Sequence, residues 1–226
     1  MSLTTILSIS ETVGINDHRF VGQMVSRNQR LSTSEVLTVV PFAFELTPMN
    51  YLSYSQNRSL LNSLRIPDKA LEQYLNFGAT GWVNYIQYQG DLLEGQIASA
   101  QWQTSSANKN LVLGNLPTVP ASDYVVKAGD FCQVGRYAYI ATADVQRGSS
   151  STVTIPVHRN LITPLVSPVN AVIGQYGITV SLGGSAYTGV TFPVILREYP
   201  VYTLVPIKND SYIQWSGSFK AFESVL

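Results

Sequence analysis

Apolar and polar residues alternate with a period of two along most of the chain, which is the pattern of half-buried β-strands. Residues 35–47 show it over the greatest length, and Pro41, on the opposite parity, indicates an edge position or a bulge. The same alternation predicts strands at residues 81–90, 152–158, 178–182, 190–196, 201–205 and 212–218. A turn at residues 148–150 predicts a hairpin between residues 137–145 and 153–157. The chain is therefore predicted to be mainly β.

Helical spacing occurs in one region, residues 54–77. Apolar residues recur there at intervals of three and four: Leu60, Leu61, Leu64, Leu71, Tyr74 and Leu75. Pro67 lies between the two groups and cannot donate a hydrogen bond inside a helix. The sequence therefore predicts two short helices at about residues 55–77, the second beginning near Pro67 and ending at Gly78.

The predicted elements suggest a discontinuous division of the chain. Residues 1–95 together with 190–226 would form a β-sandwich-like layer that carries the short helices. Residues 96–189, which show no helical spacing, would form a small β-barrel-like module. Two continuous domains divided near Pro117 or Pro120 are the alternative.

Charge is scarce: 12% of the 226 residues are charged, and 14 basic side chains balance 14 acidic ones. A neutral chain without a run of Lys or Arg is not expected to bind nucleic acid sequence-specifically or to attach to a membrane surface. The first residues have no basic stretch before their apolar run, so no secretory signal is expected, and no apolar stretch is long enough to span a bilayer. A surface with few charges favours contact with other protein.

The residue types that perform catalysis or bind metals do not form a recognisable motif. His18 and His158 have no acidic or Cys neighbours at ligand spacing, and His158 is expected to be a polar surface or interface residue. Cys132, the single cysteine, has a strand-like apolar setting and is expected to be a small buried hydrophobe. The acidic pairs, among them Asp123 with Asp130, lie near predicted turns, where Asp bonds to backbone. No catalytic residue, metal or cofactor is predicted, and the protein is not expected to be an enzyme.

Aromatic residues are abundant in the sequence, which contains 13 Tyr, eight Phe and three Trp. Many lie in predicted strands, where Tyr serves both core packing and protein interfaces. The same residues could form a platform for sugars. A carbohydrate-binding β-module that attaches to a host surface is therefore the alternative function.

Several segments resemble tail structural proteins of tailed bacteriophages. They are residues 125–137 (VVKAGDFCQVGRY), 145–148 (VQRG), 152–159 (TVTIPVHR), 198–206 (EYPVYTLVP), 213–219 (IQWSGSF) and 34–42 (SEVLTVVPF). Together they cover about half of the chain in patches. Cys132 departs from the pattern, and no family piece matches the residues before Ser34.

The resemblance implies a distal-tail, tube-initiator or baseplate component with a tail-tube-like β-layer and no catalytic role. Such a protein would assemble into a homo-oligomeric ring around the tail channel, commonly with six copies, and contact other tube and baseplate proteins. It would reside in the virion, after assembly in the host cytoplasm.

Residues 14–33 are the strongest candidate for contact between subunits. They show no helical or alternating period, yet they contain apolar residues that need burial, and an irregular connection of about 20 residues is commonly functional. The candidate contact residues here are Ile15, Arg19, Phe20, Met24, Arg27 and Arg30. We expect an arm that clasps a neighbouring subunit; a hairpin turning at Gly22 and packed on its own protomer is the alternative. Trp215, which shares strand parity with Ile213, is predicted to be a core or interface anchor.

Overall fold

The computed structural model describes residues 3–17, 21–25, 31–35, 41–65, 71–78, 80–106, 108–177 and 180–225. The fold is mainly β, as predicted, and includes a curled, half-barrel sheet. The helical elements within the described residues are α1 (Thr4–Leu7), α2 (Tyr54–Arg65), α3 (Glu94–Ser99) and a 3₁₀ helix at Val83–Ile86.

The strands follow in chain order. The first eleven are β1 (Ser10–Asp17), β2 (Val21–Val25), β3 (Leu31–Glu35), β4 (Phe42–Pro48), β5 (Leu52–Ser53), β6 (Gln73–Asn76), β7 (Gln101–Trp102), β8 (Asn110–Gly114), β9 (Tyr124–Val126), β10 (Phe131–Val134) and β11 (Tyr137–Ile140). The others are β12 (Val145–Gln146), β13 (Val153–Pro156), β14 (Val169–Asn170), β15 (Val172–Ile173), β16 (Tyr176–Gly177), β17 (Val180–Leu182), β18 (Ser185–Tyr187), β19 (Thr191–Glu198), β20 (Val201–Ile207), β21 (Asp210–Ser216) and β22 (Phe219–Glu223).

The largest sheet joins strands from both ends of the chain, in the antiparallel order β1-β4-β22-β19-β6. Period-two alternation explains its buried face, because Phe42, Phe44 and Leu46 of β4 are all buried while the residues between them are not. Phe192 of β19 lies at the centre of an aromatic cluster, with its ring centroid 5.0 Å from that of Phe44 and 5.7 Å from that of Phe131. The rings of Phe44, Phe131 and Phe192 all belong to the first hydrophobic core.

A second core lies among the strands of the middle of the chain, which form two four-stranded sheets, β13-β8-β7-β14 and β11-β10-β15-β16. Trp102 is fully buried there, and its indole Nε1 donates a hydrogen bond to the carbonyl oxygen of Gln133 at 2.7 Å. Phe131 and Val172 from this region belong to the first core. The division into residues 1–95 plus 190–226 and 96–189 stays a prediction.

A buried ion pair joins the two regions. The Arg159 guanidinium donates to both carboxylate oxygens of Glu223, from Nη1 at 2.5 Å and from Nη2 at 2.7 Å, and neither side chain is exposed. Arg159 Nη2 also donates to the carbonyl oxygen of Ala138, and the Phe42 amide donates to Glu223. The Arg159 group lies 4.8 Å from the centre of the Phe42 ring. The Ala138 carbonyl, the Phe42 amide and the Phe42 ring thus all contact the pair.

The second predicted helix is wrong. Residues 73–76 form strand β6, in which Leu75 pairs with Phe192 of β19, so a long-range ladder prevails over local helical spacing. The first predicted helix is confirmed as α2. Residues 66–70, which include Pro67, lie outside the described residues.

Two further predictions of local structure are wrong. The strand expected over residues 81–90 is instead a turn leading into the 3₁₀ helix, where the Trp82 indole donates to the carbonyl oxygen of Leu7. Residues 137–145 and 153–157 meet only at one antiparallel bridge, Ala141 with Val157, so the continuous hairpin ladder expected there does not form; β13 pairs with β8, and β12 pairs with β9. The strand expected over residues 35–47 is described in two parts, β3 ending at Glu35 and β4 beginning at Phe42.

Candidate assembly surface

The hairpin β20–β21 forms a three-stranded sheet with the short strand β5, in the order β20-β21-β5. Its register is regular, so cross-strand partners share a face. Ile213 and Trp215 are buried on the inner face, toward α2. The outer face carries Val201, Val205 and Tyr212, which are all exposed. This sheet therefore has a packed face and an open one.

The open face exposes several large apolar side chains, with Thr203 and Gln214 between Val201 and the pair Val205–Tyr212. Val201 is 69% exposed, and Val205, Ile207 and Tyr212 are exposed beside it. Tyr51 adds an aromatic ring that is 69% exposed and 6.4 Å from the ring of Tyr212. Scattered apolar side chains on a surface are ordinary, whereas a contiguous group marks an interaction site. We call Tyr51, Val201, Val205, Ile207 and Tyr212 the hairpin surface.

The backbone of Tyr51 is held in a conformation that exposes its ring. Its φ of 63° lies in the left-handed region, which is uncommon for a residue other than Gly. The Tyr51 amide donates to the carbonyl oxygen of Ile213 at 2.8 Å, which ties this turn to β21. Strained backbone is typical of functional positions.

An aromatic groove opens between α2 and the base of the same hairpin. Its volume is about 350 Å³. The residues that line it are Leu61, Leu64, Tyr199, Pro200, Val201, Tyr202, Trp215 and Phe219. Trp215 is 9% exposed, and its indole Nε1 is a buried donor with no hydrogen-bond partner among the described residues. A buried donor without an acceptor costs free energy.

The outer edge of β20 is open for a limited length. The two-residue turn at 208–209 makes Ile207 and Asp210 a pair that exchanges both backbone hydrogen bonds, and the pattern alternates from there. Leu204 and Pro206 accordingly direct their backbone groups away from β21. Pro206 has no N–H, and Pro200 stands at the other end of the strand. The edge that can accept another strand thus lies between two prolines.

Asp210 fixes the far end of the hairpin to the start of α2. Its carboxylate accepts hydrogen bonds from the hydroxyls of Ser53 (2.5 Å) and Ser55 (2.8 Å), and from the amides of Ser211 (2.8 Å) and Ser55 (3.1 Å). These donors, the Ser53 hydroxyl first, lower the pKa of Asp210 from 3.8 to about 2. The carboxylate anchors the hairpin without needing a cation.

Acid should loosen this anchor. Because the folded pKa of Asp210 is lowered, its stabilising contribution is present above the ordinary value of 3.8 and is lost as the pH falls through that value toward 2. We expect the amide resonances of Ser55 and Ser211 to titrate with a midpoint near pH 2 in a nuclear magnetic resonance titration. In Asp210→Asn these amides should show no midpoint in that range. A midpoint near pH 4 would contradict the hydrogen-bonded arrangement.

The interface residues predicted from the sequence are only partly described. Ile15 lies half-buried in β1, an edge strand of the largest sheet, against the first core. Trp215 lies in the groove, and Met24 belongs to β2. Arg19, Phe20, Arg27 and Arg30 lie outside the described residues. The structure thus does not bring Ile15 and Trp215 into one site.

Residues 21–35 contain a hairpin, although its turn is not at Gly22. Gly22 lies within β2 and pairs with Ser34 of β3. Among the described strands β2 and β3 pair only with each other. The predicted alternative was therefore right about a hairpin and wrong about where it turns. Contact of residues 14–33 with a neighbouring subunit stays a prediction.

The hairpin surface was missed as a site, although residues 201–207 carried a signal for it. The strand there was predicted, but apolar residues occur on both of its parities, unlike the clean alternation of a half-buried strand. Such a strand needs cover on both faces. Tyr51 gave no comparable signal, because its exposure depends on the turn that precedes β5.

His158 and Cys132 are both buried. The expectation of a polar surface position for His158 is wrong, because it packs 5.2 Å from the Phe42 ring and its Nδ1 accepts a hydrogen bond from the Ile140 amide. Cys132 is buried in β10 between Tyr139 and Ile173, as expected, and burial raises the pKa of its thiol. A protonated, buried thiol is inert.

The Cys132→Ser variant should fold with a loss in the free energy of unfolding on the order of 1 kcal/mol, because a hydroxyl without a partner is costly at a buried site. Urea denaturation measures the loss. A bulky thiol reagent should label native Cys132 only after denaturant is added. Rapid labelling of the native protein would contradict its burial.

Asp130 and Asp144 accept hydrogen bonds from backbone amides in turns. Asp130 accepts hydrogen bonds from the amides of Lys127 and Gln89, each at 2.8 Å, while burial raises the pKa of its carboxyl group. Asp144 accepts from the Ala128 amide at 2.8 Å. Within the described residues, no group of three or more His, Cys, Asp or Glu side chains comes together. None of the described helices combines the length and apolarity needed to cross a membrane.

A scan against models of known protein families finds no match to this chain, and a search of curated proteins finds no similar sequence.

Proposed function

We propose that this chain is a structural protein of a bacteriophage tail or baseplate, which assembles with copies of itself into a ring around the tail channel. The observation that carries the proposal is the hairpin surface, a group of exposed apolar side chains beside the open edge strand β20. Copies of one chain form most soluble oligomers, and their interfaces resemble a hydrophobic core. The scarcity of charged residues in the sequence agrees with this.

The segments that resemble phage tail proteins support the proposal by their position. Gly129, in the first segment, has a φ of 100° that favours glycine, and Asp130 beside it bonds the turn. The third segment ends in Arg159, the cation of the buried ion pair. The segment at residues 213–219 carries Trp215 and the turn at Gly217 between β21 and β22. These residues serve the architecture, which suits a structural family.

Carbohydrate binding is less well supported by the same residues. A sugar ring stacks on an exposed aromatic face, and Trp215 in the groove is nine-tenths buried. Tyr51 and Tyr212 are exposed, but their rings meet at 89° and so do not form a flat platform. A glycan array should therefore give no saturable binding at micromolar protein.

Native mass spectrometry tests the proposal directly. The protein at micromolar concentration should give one closed oligomer, six copies being the expected number, and electron microscopy should show rings. Val201→Asp with Val205→Asp places charge on the hairpin surface and should yield monomer with unchanged secondary structure. Gln87→Asp with Gln146→Asp, which adds the same charge at two exposed positions outside the hairpin surface, serves as the comparison. A wild-type protein that is monomeric at all concentrations would refute the proposal.

A further inference from the structure

We propose that β20 of one copy pairs antiparallel with β20 of a second copy, along the edge that faces away from β21. The occupant of this edge is thus the same strand, Val201–Ile207, and all of its residues are described. Such a contact has two-fold symmetry, so it joins copies in pairs and does not by itself close a ring. The inference therefore goes beyond the proposed function and can fail separately from it.

Strand β20 is exposed along its length. Six of its seven residues are exposed and Tyr202 is half-buried. In the described part of the chain β20 pairs with β21 alone. Leu204, its middle residue, directs its backbone N–H and C=O away from β21, and its side chain is 42% exposed. An edge strand with outward backbone groups and apolar side chains is a template for another strand.

The strand is complementary to itself when the pairing is centred on Leu204. This register overlaps all seven residues, and each Leu204 N–H donates to the Leu204 carbonyl oxygen of the other copy. It places Val201 opposite Ile207 and Thr203 opposite Val205 on the outer face, so the two hairpin surfaces join. β20 contains no charged residue, so the pairing brings no like charges together and buries no charge.

Helix α2 leaves room for this pairing on the inner face. It packs on β21 and β5, one strand away from the open edge. In the joined sheet the strands follow the order β21-β20-β20-β21, so about three strand spacings, roughly 14 Å, separate the two copies of α2. A helix with its side chains is about 10–12 Å across. Both helices therefore fit on the same face of the joined sheet.

The aromatic groove gains a cover in the same arrangement. The groove lies at the base of β20, and antiparallel pairing brings the far end of the second copy's strand there. Pro206 of the second copy stands opposite Tyr202, which lines the groove, and cross-strand partners share a face. Pro206 is exposed in one copy, and its ring has no polar atom to desolvate. By symmetry both grooves are covered.

The contact is small. Seven residues a side compare with the roughly 20 to 30 of a standard interface, so the pairing is weak and depends on concentration. Sedimentation equilibrium from micromolar to several hundred micromolar protein should show the mass of the prevailing species, whether one chain or one ring, rise toward twice its value.

Leu204→Pro tests the edge. It removes an N–H that points away from β21, so the β20–β21 ladder keeps its hydrogen bonds while both bonds between the copies are lost. We expect the doubling to need at least about tenfold more protein, with unchanged circular dichroism. Leu204→Ala is the matched control, because it shortens the side chain and keeps the N–H; it should pair within about threefold of wild type.

Cross-linking tests the occupant and does not depend on Leu204→Pro folding. Two variants in the Cys132→Ser background, Thr203→Cys and Val205→Cys, are mixed and oxidised. The register places these positions directly opposite each other, and a disulfide needs Cα atoms within about 7 Å. A heterodimer should therefore form on a non-reducing gel faster than either variant links to itself. Thr203→Cys with Gln146→Cys, at an exposed position in β12, is the negative control.

The outcomes separate the two proposals. A dimer that forms no ring, with the cross-link in place, supports this inference and refutes the proposed function. A ring whose mass does not double, a cross-link no faster than in the negative control, or a Leu204→Pro variant that pairs like wild type overturns this inference and leaves the ring intact. A protein that stays monomeric at all concentrations refutes both.

Discussion

Replacing Arg159 with Met should lower the free energy of unfolding by about 3 to 5 kcal/mol, because it leaves the Glu223 carboxylate buried without its cation. Among the described residues, the carboxylate would keep one donor, the Phe42 amide at 3.1 Å. Urea denaturation, followed by tryptophan fluorescence, measures the loss. This is the largest effect that we expect from a single polar side chain.

The double variant Arg159→Met with Glu223→Leu isolates the cause. It removes both charges and should recover much of the loss, keeping a deficit of about 1 to 3 kcal/mol because the Ala138 carbonyl and the Phe42 amide lose their partners. Losses that simply add in the double variant would show that the two side chains do not act as a pair.

Replacing Trp215 with Ala should lower the free energy of unfolding by about 3 to 5 kcal/mol, the usual cost of truncating a buried Trp. The ring packs edge-on against Tyr202 and Phe219, with centroid distances of 5.2 and 5.5 Å. Removing the ring would leave a cavity between α2 and the hairpin β20–β21, so the fraction of protein that assembles should fall as well. Thermal unfolding of the monomeric fraction separates the two effects.

Tyr51→Ala provides the comparison, because this ring is exposed and its removal should change stability by no more than about 0.5 kcal/mol. If Tyr51 lies in a subunit contact, its variant should weaken assembly without shifting the melting temperature of the monomer. A Trp215→Ala protein that melts and assembles like the parent would contradict both its burial and its role.

Local sequence patterns predicted the strands and the helix whose formation depends on residues close together in the chain. The strands β4, β13 and β21 follow from period-two alternation, and the helix α2 follows from helical spacing. Leu75 shows the limit of that reasoning, since its spacing fits a short helix and a strand equally well. Its partner Phe192 lies far away in sequence, and the ladder with β19 decides the outcome.

The buried ion pair and the candidate surface depend on residues that lie even farther apart in the sequence. Arg159 and Glu223 are 64 residues apart, and neither carries a local mark that identifies its partner. The apolar run in β20 is visible in the sequence, but its exposure follows from the position of the strand at a sheet edge. Trp215 was predicted as an anchor from parity with Ile213, and both residues are buried.

The place of β22 in the largest sheet bears on how the chain folds during synthesis. β22 lies between β4 and β19, so it separates strands that are made much earlier from one that is made shortly before it. Until Glu223 has left the ribosome, β4 cannot pair with β22 and the Arg159–Glu223 ion pair cannot form. The sheet therefore closes after translation of this segment, through contacts of high sequence separation, which makes folding slow and open to aggregation. Chains that end before residue 219 lack β22, so they should be digested by protease more readily than the full chain.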